Sequence, residues 1–145
     1  MDTPALFIAS DHAGFSLKQD LLAHLREKSR NIQDLGPASD LSADYPDYAR
    51  TLCARILAAN AFGILICGTG IGMSIAANRH QGIRAALCLH EFQAEAARRH
   101  NDAKILCLAA RLTAPPLARA LVDVFLAAPF EGGRHQRRIA LIDQV

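Results

Sequence analysis

The residues best suited to chemistry in this sequence are Cys67, Gly68, Thr69, Gly70, Ile71 and Gly72, because there a thiol enters a glycine turn between an apolar run and a helical segment. The run Ile64 to Cys67 reads as a strand, and Ile75, Ala76 and Ala77 read as the helix that follows. Glycine lets the backbone come close to a ligand, while the free N–H groups at a helix start and the helix dipole favour negative charge. An anion or a developing oxyanion fits such a loop. A thiol placed among those donors is suited to take a proton or to attack a carbonyl. The plainer alternative is a tight strand-to-helix turn with a buried cysteine. Cys53, Cys88 and Cys107 sit in apolar helix or strand patterns and are expected in the core.

The pair Gly68-x-Gly70 after a strand also matches the start of a dinucleotide fingerprint, with Glu91 near the place of its ribose acid. Three observations oppose that reading. The third glycine position is Met73, the loop follows the third strand rather than the first, and no length remains for a catalytic domain beside a dinucleotide domain.

Other polar groups recur at strand exits. Asp11-His12-Ala13-Gly14 follows the first strand, where the acid and imidazole either serve a site or cap the first helix. Arg111 lies just past the fifth strand, and Arg134, Arg137 and Arg138 follow Gly132-Gly133. Guanidinium groups on glycine-flexed backbone suit a phosphate, although exposed arginines are usually solvated surface. His100-Asn101-Asp102 closes the helix after the fourth strand, and its bland reading is a helix C-cap. His24, His80, His90 and His135 have no metal-like spacing with cysteine or acid, so no metal site is expected.

The elements that position these residues follow from hydrophobic periodicity. Short apolar runs at Leu6 to Ala9, Ile32 to Leu35, Ile64 to Cys67, Ile83 to Leu89 and Ile105 to Leu108 alternate with helix-period segments. That alternation predicts a parallel sheet covered by helices on both faces. Leu17, Leu21, Leu22 and Leu25 form one inward stripe, and Ala49, Leu52, Cys53, Ile56 and Leu57 form a second. Asp44 before Tyr45-Pro46 and Thr113 before Ala114-Pro115 read as caps with proline in the first turn. The helix from about Thr113 should turn Leu117, Leu121, Val124, Phe125 and Ala128 inward and end before Pro129. A last helical segment with Ile139, Leu141 and Ile142 has no strand after it and is a candidate dimer contact.

At 145 residues the expectation is one domain, 1–145. No apolar run approaches the roughly 18 residues of a bilayer span. The start Met1-Asp2-Thr3-Pro4 lacks a basic segment before an apolar one, and the four cysteines are scattered. Together these predict a cytoplasmic protein with reduced thiols. A formal charge of +2 implies neither nucleic acid nor an anionic membrane as partner.

In combination these residues resemble the type B ribose-5-phosphate isomerases and the wider family with galactose-6-phosphate and allose-6-phosphate isomerases. The blocks that carry the resemblance are Ser10 to Phe15, Asp44-Tyr45-Pro46, Gly63 to Gly72, Ala76-Ala77-Asn78, His100-Asn101-Asp102 and Phe130 to His135. It implies an open five-stranded parallel sheet in a Rossmann/flavodoxin-like three-layer α/β sandwich with a C-terminal helix. It also implies a homodimer or dimer of dimers with sites at the subunit interface, and a reaction without metal or cofactor. By position, Cys67 looks like the base moving a proton between C2 and C1, and Thr69 like its helper between the oxygens. Gly68, Gly70, Ile71 and Gly72 look like N–H donors to a cis-enediolate. His100 resembles the ring-opening residue, Asp11 and Asn101 contacts to sugar hydroxyls, and His12, Arg111, Arg134 and Arg138 contacts to phosphate or substrate. A second branch of the family looks to carry its base as glutamate at position 73, where this sequence has methionine, so the resemblance is to the cysteine branch. Another aldose phosphate (allose 6-phosphate, galactose 6-phosphate or a tetrose phosphate) and a non-catalytic phospho-sugar binding domain remain the alternatives.

Overall fold

Strand-forming runs that are apolar at every position need cover on both faces, and the chain supplies it with helices of two layers. The computed structural model describes residues 3–145; Met1 and Asp2, part of the start read above for an export signal, lie outside them. In order the elements are β1 (Ala5–Ser10), α1 (Phe15–Glu27), β2 (Ile32–Asp34), α2 (Tyr45–Ala58), β3 (Ala61–Cys67), α3 (Ile71–Asn78), β4 (Ala85–Leu87), α4 (Glu91–Asn101), β5 (Ile105–Ala109), α5 (Pro115–Ala127) and α6 (Arg134–Ile142). All strand pairs are parallel, in the order β2-β1-β3-β5-β4. The fifth strand is inserted between the third and fourth, so its exit lies directly beside that of β3.

Strand side chains alternate between the two faces. Leu6, Ile8, Ile64, Ile66, Leu106 and Leu108 pack under α1, α4 and α5. Phe7, Ala9, Leu65, Cys67, Ile105 and Cys107 pack under α2 and α3. Both faces are therefore core, which is why the strands read as unbroken apolar runs rather than alternating ones.

Several expectations need correction in detail. β4 is confined to Ala85–Leu87, because this edge strand pairs with β5 at only those positions, and β2 likewise ends at Asp34. Leu57 and Leu117 were expected inward but are exposed; the buried stripe of α5 is Ala118, Leu121, Val122 and Phe125. Neither Asp44 nor Thr113 caps through its side chain. Ala114 rather than Thr113 is the N-cap residue of α5, and the Thr113 hydroxyl is buried without a partner. Among the described residues, no helix is long and apolar enough to cross a membrane.

One buried charge braces the site's approach. Lys18 on α1 has a fully buried side chain, and its Nζ donates to both carboxylate oxygens of Asp34, at 2.8 and 2.9 Å, and to the Pro37 carbonyl at 2.7 Å. The clip ties α1 to the chain leaving β2, where the Gly36 carbonyl accepts from the Ser10 N–H at 3.1 Å. Replacing Asp34 with Asn leaves the ammonium buried without a counter-charge, and urea denaturation should record a loss of roughly 3 kcal/mol.

Candidate active site

Strand order and side-chain alternation together decide which groups meet. The sheet order reverses direction between β1 and β3, and ligands of open α/β sheets bind outside the carboxyl ends of the strands at such a point. There Ser10 pairs with Ile66, and the Asp11 N–H donates to the Ile66 carbonyl at 3.1 Å, so the register continues one step beyond the strand. Ala9 and Leu65 are register partners; two residues on, Asp11 and Cys67 stand on the same face of neighbouring strands, which run about 4.8 Å apart. On the other side Cys67 pairs with Ala109. The Ala110 and Arg111 N–H groups donate to the Cys67 and Gly68 carbonyls, each at 2.9 Å.

These residues open into a cleft of about 390 Å³ lined by Asp11, Tyr45, Cys67, Gly68, Thr69, Ile71, Gly72, Ile75 and Arg111. The Arg111 guanidinium lies over Gly68, close enough that a Cβ there would stand 3.0 Å from Nη1. Gly70, at φ +74, is the N-cap residue of α3 and turns the chain from strand to helix. A side chain at Gly70 would meet Leu87 and the Leu108 backbone as well as the unfavourable φ. Thr69 is exposed at the rim, and its Oγ1 accepts from the Ile71 N–H at 3.3 Å. The Asp11 carboxylate is 6% exposed and accepts from the Gly14 N–H at 3.0 Å. That bond braces the turn into α1, so the capping and site readings of Asp11 describe one geometry.

His12 is exposed beside this cleft, and its Nδ1 accepts from the Ala43 N–H at 3.2 Å. The bond leaves Nε2 to carry the proton of a neutral ring. Met73 is fully buried in the layer of α2 and α3. Tyr45, the first residue of α2, packs over Gly72 and lines the cleft. In the sequence Tyr45 stands as a helix start and within the block Asp44-Tyr45-Pro46, with no site role; its place after β2 at the carboxyl edge is the signal for one.

His100, Asn101, Arg134 and Arg138 are not in this cleft. α4 runs back across the sheet, so His100 and Asn101 end it at the opposite edge, shortly before β5 begins. A strand of five residues spans roughly 15 Å. Arg134 and Arg138 lie on α6, which packs against α4 at that same edge. The chain therefore carries two polar clusters, a thiol cleft at one sheet edge and a histidine-arginine cluster at the other.

The thiols separate by environment. Burial pushes Cys53 and Cys88 up to about 11, and burial, with Cys67 nearby, holds the fully buried Cys107 well above the usual thiol range. Cys67 alone of the four lines the cleft.

A cysteine, a helix N-terminus and an arginine at one switch point can remove a proton, hold an oxyanion and bind an anionic substrate. Comparison with known proteins agrees with that chemistry. A family model described as ribose/galactose isomerase matches residues 6–142, and the chain belongs to that family. It is 43% identical over 136 residues to the ribose-5-phosphate isomerase B of Escherichia coli, covering 93% of this chain and 91% of that protein. The crystal structure of a ribose-5-phosphate isomerase from Thermotoga maritima superposes with a TM-score of 0.97 at 53% identity, covering 99% of this chain and 100% of that one. The ribose-5-phosphate isomerase B of Mycoplasma genitalium, solved with bound ribulose 5-phosphate, has a TM-score of 0.94 at 44% identity, covering 99% and 97%.

Iodoacetamide at neutral pH should alkylate Cys67 first in the folded protein, with Cys53, Cys88 and Cys107 reacting only on unfolding or as the pH approaches their raised values. Peptide mass spectrometry of a labelling time course reads the order.

Proposed function

We infer that this chain is an aldose–ketose isomerase of sugar phosphates, and the observation that carries the reading is Cys67 at the sheet's switch point, facing the N-terminus of α3. It interconverts ribose 5-phosphate and ribulose 5-phosphate. The relatives above support that substrate pair over a larger or smaller aldose phosphate.

The reaction needs a base beside an activated carbonyl and donors where the enediolate oxygen develops. Cys67 takes the proton from one carbon and returns it to the next. The N–H groups of Gly68, Gly70, Ile71 and Gly72 hold the cis-enediolate, and Thr69 passes the proton between its oxygens. Asp11 accepts from a sugar hydroxyl. Arg111 and His12 hold the phosphate end, so that binding energy away from the reacting carbons fixes them against the thiol.

Ring opening falls to His100, with Asn101 on a hydroxyl and Arg134 and Arg138 on the phosphate. All four stand at the far edge of the sheet from Cys67, so each site takes them from a second copy of the chain. A two-fold dimer that lays one copy's far edge on the other's cleft completes two equal sites. Exposed Ile71 and Ile75 beside the cleft, and Phe92 on α4, supply apolar surface for that contact. The 145 residues act as one domain in this arrangement.

Replacing Cys67 with Ser should lower kcat by about 10³-fold with ribose 5-phosphate while KM stays within a few-fold, in a coupled assay of ribulose 5-phosphate formation. Unchanged kcat would remove the thiol from the mechanism. Shared sites have a separate test: Cys67→Ser and His100→Asn, each inactive alone, should recover about a quarter of the sites when unfolded, mixed and refolded together. Sites completed within one chain would recover none.

A further inference from the structure

His100 does not stand free at the end of α4. Its ring lies face to face with that of His135, with centroids 4.4 Å apart and planes within 14°. The side chain of His100 keeps 42% of its exposure, that of His135 only 9%. The contact is made by the turn into α6, where Gly132 (φ +69) and Gly133 (φ +57) reverse the chain so that Glu131 and His135 both return to α4.

Glu131 is itself fixed from two sides. Its N–H donates to the Arg99 carbonyl at 3.0 Å, its Oε1 accepts from Arg99 Nε at 2.7 Å, and Glu95 holds Arg99 Nη1 at 2.8 Å. Arg99 holds the Glu131 carboxyl below its usual range, so it is ionised at neutral pH. Its Oε2 faces the buried His135 Nε2 at 3.5 Å, an atom that has no hydrogen-bond partner, and its Oε1 is 4.0 Å from His100 Nε2.

The ligand atoms of His100, Glu131 and His135 lie within 4.8 Å of one another, but the arrangement does not suit a metal ion. A metal lies in the plane of each imidazole it binds, at about 2.0 Å. Two stacked planes only 14° apart share no such point, and Arg99 already occupies the carboxylate. What the geometry does provide is a flat, buried surface beneath an exposed ring.

We propose that His135 is a positioning residue for His100: its ring, held by burial, fixes the His100 imidazole in one orientation at the edge that meets the second copy's cleft. The inference rests on the role given to His100 above. A half-exposed imidazole at a helix end otherwise samples several rotamers, and only the one aligned with the sugar is productive. Stacking on a fixed ring favours a single orientation by up to about tenfold. Burial, with His100 and Arg134 beside it, also holds the His135 imidazole below its usual range, so the lower ring of the stack is uncharged at neutral pH.

Steady-state kinetics with ribose 5-phosphate separate this role from plain folding. His135→Ala should lower kcat by about tenfold with KM within about twofold, and His135→Phe, which keeps a flat face, should return kcat to within about threefold of wild type. A wild-type kcat for His135→Ala, or a His135→Phe variant as slow as His135→Ala, overturns the proposal. Should His135→Ala fail to fold, His135→Leu, which fills the space without a flat face, carries the test. A kcat lowered about tenfold at an unchanged thermal midpoint supports the proposal, and an unchanged kcat overturns it. His100→Asn tells the two readings apart. If it turns over at the wild-type rate, the role of His100 itself fails; a slow His100→Asn beside a fast His135→Ala sinks only the positioning role.

Discussion

The parallel register of β1, β3 and β5 is the constraint on which the site depends. Backbone hydrogen bonds set neighbouring strands in step, and the two-residue side-chain period then decides face as well as height. Asp11, Cys67 and Arg111 stand on or just past the exits of three adjacent strands, in step with the pairs Ser10–Ile66 and Cys67–Ala109. A slip of one residue would send the thiol under α1 and α5. The apolar core on both faces prevents that slip, because it would expose or overpack a whole layer of side chains. The chemistry is held in place by residues that take no part in it.

The insertion of β5 between β3 and β4 has its own effect. In a sheet that added strands in chain order, β4 would lie beside the thiol and Arg111 would exit one strand further away. Here the backbone after β5 bonds directly to the carbonyls of Cys67 and Gly68, and the guanidinium rests on the glycine loop. The same insertion sends α4 back over the α1 face, with His100 at its far end.

Much of this was legible in the sequence, because doubly buried strands and amphipathic helices leave strong patterns. The strands at Leu6, Ile64 and Ile105, the stripe of Leu17, Leu21, Leu22 and Leu25, and the glycine loop all stand where periodicity put them. The failures are local or long-range. Leu57 and Leu117 fit the helical period but fall just outside the buried arc. Asp44 and Thr113 have the right types for caps, yet Asp44 makes no side-chain capping bond and α5 takes Ala114 as its N-cap residue. Lys18 carries no signal of burial in the sequence, and nothing near it in the chain points to Asp34 or to the Pro37 carbonyl. Strand order is equally silent, since β4 and β5 carry similar apolar runs. His135 has no metal-like spacing in the sequence, and its contact with His100 is one that only the fold creates.

The thiol and the donor array are carried by separate parts. Cys67 belongs to the sheet, its carbonyl bonded to the next strand, whereas the N–H groups that face the cleft belong to the start of α3, and Gly68 to Gly70 is the joint between them. On the role proposed for Cys67, such modular construction separates the group that carries the proton from the cradle that receives the charge. A change at the strand end then alters the base and leaves the N–H groups at the start of α3 where they are, so the two parts can vary independently.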